Sequence, residues 1–144
     1  MRKSIFTLFI FSFMSCACWS QSMKGYYYNE EYQVYLQLSA DDSDVSVPGQ
    51  DIYGELPGYF GSKRDGRLWL ITESTRIKDN QVKISVINDY GSEDFEAILT
   101  EDENGTLTMK HTKGSTFKIV VNRKYVKIPK EFILKKEKSG KDNN

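Results

Sequence analysis

His111 stands four residues before Ser115, the nearest approach this chain makes to a nucleophile with its base. Nucleophilic catalysis needs that base oriented by a third group. Here Lys113-Gly114, a turn signal, separates the two, and no orienting acid is indicated. On a strand, His111 shares a face with Leu107 and Met109, which makes it a packed histidine. Glu55, Glu73, Asp89 and Asp94 are carboxylates of the kind a glycosidase pairs, but no spacing brings two of them together. Asp41, Asp42 and Asp44 offer oxygen ligands at short intervals. An EF-hand loop begun at Asp42 requires Gly at its sixth position and Glu at its twelfth, where this chain has Val47 and Tyr53. These acids therefore read as a solvated loop. Cys16 and Cys18 are the only cysteines, both near the start, so thiol chemistry and a cysteine-built zinc site are not expected beyond them. The chain reads as a non-enzyme, with no catalytic residue, metal site or cofactor.

Aromatic residues are the richer resource. Tyr26, Tyr27, Tyr28, Tyr32 and Tyr35 crowd one stretch, and Tyr53, Tyr59, Phe60 and Trp69 follow. Tyrosine joins an apolar body to a polar tip, which suits contact surfaces and cross-strand pairs alike. Alternation places Tyr35 opposite the Val34-Leu36-Leu38 face, where it is exposed. Between Tyr53 and Gly61, three glycines and Pro57 interrupt an aromatic strand, which reads as a bulge, close backbone approach or kink, with a flexible lip at the barrel mouth as the binding alternative. Tyr59, Phe60, Tyr53, Tyr27 and Tyr35 are the candidate binding residues, because aromatic side chains give large contact area for little lost freedom.

The first twenty residues give an address. Arg2-Lys3, an apolar run from Ile5 to Met14 and small residues from Ser15 to Ser20 form an export signal, too short to remain as a membrane span. Cleavage after Ser20 leaves Gln21 first, and the protein is periplasmic or secreted. The alternative is lipid attachment at Cys16, which anchors it to the outer membrane. Without Arg2 and Lys3 the chain carries 18 basic and 20 acidic residues, net −2. Residues 39–105 have net charge −9 and residues 122–144 net +5. The basic end reads as a solvated tail over 136–144, dispensable to binding even when the chain is cut after Leu134. An acidic middle and an exported address argue against a nucleic-acid partner.

Positioning these residues falls to strands. Apolar residues alternate at Val34/Leu36/Leu38, Leu68/Leu70, Val82/Ile84/Val86, Phe95/Ala97/Leu99, Leu107/Met109 and Phe117/Ile119/Val121. Turn residues separate the runs, Asn104-Gly105 most clearly. Strands are expected near 24–29, 32–39, 51–60, 67–73, 81–88, 94–100, 106–112 and 116–121, with a further piece in 125–128 or 132–134. One domain over 21–135 follows, all-β, an antiparallel up-and-down barrel of about eight strands, since closure removes open edges. A two-sheet β-sandwich is the alternative. The expected core joins Phe95, Leu68, Leu70, Val82, Ile84, Val86, Ile119 and Phe117.

With Gly25-Tyr26-Tyr27 at the first strand, Asn88-Asp89-Tyr90 in a loop and Arg123 near the end, the chain resembles the lipocalin-like (calycin) barrels. That family has Trp where Tyr stands here, and an Arg that packs over this aromatic. The resemblance implies a central cup for a small apolar ligand. Two functions stay open: an exported binding protein that docks a protein partner through an aromatic, acidic surface, as inhibitors and immunity-type proteins do, or a lipocalin-like carrier of a small apolar ligand. A filled interior favours the first, a hollow one the second.

Overall fold

The computed structural model describes residues 23–49 and 51–137. The expected signal segment, Cys16 and residues 138–144 of the expected tail lie outside the described residues. Twelve strands follow in chain order: β1 (Lys24–Asn29), β2 (Val34–Ser39), β3 (Val45–Ser46), β4 (Glu55–Leu56), β5 (Gly58–Ser62), β6 (Asp65–Lys78), β7 (Gln81–Asn88), β8 (Asp94–Glu101), β9 (Thr106–Gly114), β10 (Lys118–Val121), β11 (Lys124–Lys127) and β12 (Glu131–Glu137). Eight of them close into an antiparallel barrel in the order β1-β2-β5-β6-β7-β8-β9-β12, with β12 returning to β1. It is an up-and-down barrel, not a sandwich, into which two hairpins, β3–β4 and β10–β11, are inserted.

The alternating runs form the expected strands at β1, β2, β7, β8 and β9, and three expectations need correction. Residues 116–121 do not close the barrel. Asn122 and Arg123 both take positive φ, 51° and 63°, the turn that folds β10 back onto β11. Closure falls to β12, and the strand runs through Glu137, two residues past the expected domain end. The single strand expected over 51–60 is broken into a 3-10 turn at Asp51–Tyr53, then β4 and β5. Gly54 at φ 64° and Pro57, which has no N–H to donate, divide it.

The third correction is register in β6. Trp69 and Ile71, not Leu68 and Leu70, face the interior with Ile84, Val86, Phe95 and Ala97. Leu70 is fully buried all the same, on the outer wall, where Val47 and Leu56 of the strap that carries β3 and β4 cover it beside Leu68, Tyr59 and Ile87. Four consecutive apolar residues at 68–71 hid which alternate pair points inward. Leu70→Ala is expected to cost about 2–4 kcal/mol, as a core truncation does, and to raise amide exchange in the 45–56 strap above that of β8. Unchanged strap exchange would show that this outer cluster does not hold the strap down.

The ends of the barrel differ. The β1–β2, β5–β6 and β7–β8 turns and the β10–β11 hairpin gather at one end, the mouth. The start of β1, the end of β12 and the β6–β7 and β8–β9 turns gather at the other, the floor.

Candidate binding surface

The upper interior is filled with aromatic rings. Phe117, on the connection between β9 and β10, enters the barrel and lies 5.3 Å from Phe60, 5.4 Å from Trp69, 5.5 Å from Phe95 and 6.1 Å from Phe132, between ring centroids. The rings meet tilted or edge-on, geometries their quadrupoles favour. A neighbouring gap of ≈ 20 Å³ against Met109, His111 and Ile128 has room for about one water. His111 packs on Phe95 at 5.4 Å, and its Nε2 donates to the Ser115 carbonyl at 2.8 Å. The nitrogen a nucleophilic Ser115 would need is thus engaged by that residue's own backbone.

Strand alternation sorts the five candidate aromatics. Tyr27 and Phe60 are corrections: both are fully buried in the core and offer nothing to an outside partner. Each sits one residue from an outward tyrosine, and successive side chains of a strand point to opposite faces. Near the floor, the Tyr27 hydroxyl crosses the interior to donate to the buried Glu101 carboxylate at 2.6 Å. Lys136 Nζ lies 5.7 Å from the Tyr27 ring centroid. A cation does cover the first-strand aromatic, but Lys136 of β12 supplies it; Arg123 is exposed in the β10–β11 turn.

Tyr35 and Tyr59 face outward, half-buried, and join Tyr26 in a ladder across β1, β2 and β5. Tyr26 stacks on Tyr35 at 5.7 Å and 19°, and Tyr35 meets Tyr59 edge-on at 6.2 Å and 86°. Beside it, Lys63 Nζ sits 4.3 Å from the Tyr28 ring centroid. The glycines of this stretch let it pack. Gly61 pairs with Tyr35, and a Cβ there would strike the Tyr35 ring; one on Gly58 would strike the Gln37 carbonyl. Both mark the close approach that the structural reading of this run expects, and the lip alternative fails. Tyr53 is exposed on the 3-10 turn of the strap, away from the barrel wall.

Burial, with smaller contributions from Glu137 and Tyr35, pushes the Tyr26 phenol from 10.0 up to about 12. Burial also raises Tyr35 and Tyr59. Phenols held neutral in the fold support it fully below the unfolded value near 10, and that support is lost as pH rises through the folded values. Stability should therefore fall between about pH 10 and 12. Alkaline absorbance titration should show Tyr26 ionising late, and a single step for all phenols near pH 10 would contradict the ladder's burial.

The acidic loop is less free than its sequence suggests. Asp41 pairs with Arg76 at 2.7 Å, and Asp42 and Asp44 pair with Lys24 at 3.5 and 3.0 Å. These exposed pairs tie the loop to β6 and β1. Among the described residues, no three His, Cys, Asp or Glu side chains gather as a metal site.

A second site escaped the sequence. At the mouth, the β10–β11 hairpin and the β7–β8 turn enclose a cleft of ≈ 280 Å³. Its residues run from Arg67 to Tyr125; the sequence marked Trp69 as an aromatic, Asp89 as a carboxylate and Asn88-Asp89-Tyr90 as a loop, but nothing that joined them. No local pattern joins positions that far apart; the hairpin inserted before β12 does.

No family model, curated protein or solved structure matches the chain. The architecture alone defines its class, a closed eight-stranded antiparallel barrel consistent with a calycin-like fold.

Proposed function

We propose that this is an exported, non-enzymatic binding protein that docks a protein partner through the outer tyrosine ladder of β1, β2 and β5, in the manner of an inhibitor or immunity-type protein. The observation that carries this reading is Phe117, whose ring occupies the space a carrier would leave for its ligand. With the interior full, binding falls to the outside. There Tyr26, Tyr35 and Tyr59 hold one another in place, which limits the freedom lost on contact. The charges flanking the ladder are mixed: Glu137 and Lys135 lie opposite Tyr26 and Tyr28 on β12. The lipocalin-like carrier reading requires Phe117 to leave the barrel.

A photo-cross-linking residue in place of Tyr59 tests this in the producing cell, with one at Thr100, on the far wall, as control. The expected result is a discrete protein adduct from position 59 and none from position 100. Equal adducts from both positions, or none from position 59, would refute the ladder as the docking face.

A further inference from the structure

We propose that the mouth cleft binds an uncharged pyranose sugar, free or at the end of a glycan. This stands apart from the ladder, on different residues at the end of the barrel.

The cleft is lined mainly by polar and charged side chains, with three aromatic rings, Trp69, Tyr90 and Tyr125, among them. Tyr90, 76% exposed, rises from the β7–β8 turn, and Tyr125, 61% exposed, from β11; Trp69 closes the bottom. An exposed ring beside a cleft offers an apolar platform of the size of one sugar ring; Tyr90 is the more open of the two, while Arg67 and Lys118 lie over the Tyr125 ring. The Tyr125 ring and the turn that carries Tyr90 are held in place. Arg67 donates to the Tyr125 hydroxyl at 3.1 Å, and Lys118 Nζ lies 4.9 Å from the Tyr125 ring centroid. In the turn that carries Tyr90, Asn88 Oδ1 accepts from the Ser92 and Glu93 amides at 2.8 and 3.2 Å, and Asn88 Nδ2 donates to Ser92 Oγ at 2.9 Å. The turn is thus fixed from within before any ligand arrives.

Charge in the cleft does not lean positive: its lining carries Arg67 and Lys118 against Asp89 and Glu93, and Asp65 stands beside Arg67. Lys118 pairs with Glu93 at 2.8 Å, and Arg67 lies 3.8 Å from Asp65. Asp89, which receives the Leu68 amide at 3.4 Å, adds a further carboxylate. Each cation already faces a carboxylate, which disfavours a phosphate or carboxylate ligand over a neutral one. What remains is a set of charged donors and acceptors at the edges of aromatic faces. A pyranose matches both features: its C–H face stacks on an aromatic ring, and its hydroxyls donate to carboxylates and accept from Arg and Lys. At ≈ 280 Å³ the cleft falls just below the roughly 300–1,000 Å³ of drug-sized sites, so it takes one ring and part of a second.

The experiment is an NMR titration of the ¹⁵N-labelled protein with glucose, galactose, mannose, N-acetylglucosamine and their disaccharides, and with glucuronic acid and glucose 6-phosphate as anionic probes. Saturable shifts of the Trp69 indole and the Ser92 and Tyr125 amides are expected with at least one uncharged sugar at millimolar concentration. Tyr125→Ala should weaken that binding at least about tenfold while shifts of β7 and β8 stay in place. Should Tyr125→Ala fail to fold, Tyr90→Ala, on a separate turn, must give the loss instead. Tyr59→Ala should leave sugar binding unchanged, so a failure of the docking proposal does not touch this one. Shifts with the anionic probes only, no saturable shift with any sugar, or wild-type affinity in the tyrosine variants would overturn it.

Discussion

Phe117→Ala is expected to lower stability by about 3–5 kcal/mol, the range for a buried Phe reduced to alanine. The side chain is 2% exposed and touches rings from β5, β6, β8 and β12 at once. Its loss removes the ring at the centre of the upper aromatic cluster, and rigid strands paired on both sides cannot collapse to refill the space. The urea midpoint should drop accordingly and the near-ultraviolet circular dichroism of the aromatic cluster should fade. An apolar dye excluded by the wild type should enter the variant, because the opened space lies just under the mouth. A midpoint within error of wild type would mean that Phe117 does not plug the barrel, and the carrier reading would regain its footing.

Cutting the chain after Leu134 is expected to open the barrel, whereas cutting after Glu137 leaves it closed. The seam between β1 and β12 consists of Tyr28 with Lys135, Tyr27 with Lys136 and Tyr26 with Glu137, and all three β12 members lie beyond the first cut. At about 0.5–1.5 kcal/mol for each hydrogen bond lost, the seam is worth several kcal/mol, and the Lys136 cover over Tyr27 goes with it. Two raw strand edges also appear, which invite pairing with another copy. The shorter chain should melt well below the longer one, exchange its β1 amides rapidly and associate as concentration rises. Identical melting of the two would show that β12 adds nothing past Leu134. The basic end read as a dispensable tail thus begins inside the wall. Lys136 and Glu137 look like tail residues because they are charged, and only their pairing with β1 shows otherwise.

Alternation made the meander legible wherever one face was apolar and the other polar, as in Val82-Ile84-Val86 and Phe95-Ala97-Leu99. Turn chemistry was equally readable at residues 102–105, where Asp102 Oδ1 accepts the Asn104 and Thr106 amides and Gly105 takes φ 80°. It failed where both faces are apolar, as at 68–71, because the strap that covers the outer face is supplied by residues 45–56. It set 116–121 as the last full strand, because Phe117, Ile119 and Val121 alternate while Phe132-Ile133-Leu134 stand three in a row, and the tight turn at Asn122-Arg123 that takes 118–121 out of the wall was not legible. The same alternation that correctly turned Tyr35 outward, carried to Tyr59 and Phe60, separates them; treating that pair as one contact overlooked it. The ladder was therefore half visible, and the mouth cleft, assembled from four elements, was not.

The first barrel strand enters and the last one leaves at the same end, with Tyr26 opposite Glu137. Anything joined before Lys24 or after Glu137 departs from the floor, and the mouth points the other way. Tethered by either terminus to a surface, a bead or a fused domain, the barrel would present its cleft outward like a cup held by its base. The same adjacency makes the order of strands a matter of convenience: a short bridge from Glu137 to Lys24 and a new opening at the exposed Lys63-Arg64 turn would keep every pair in the wall.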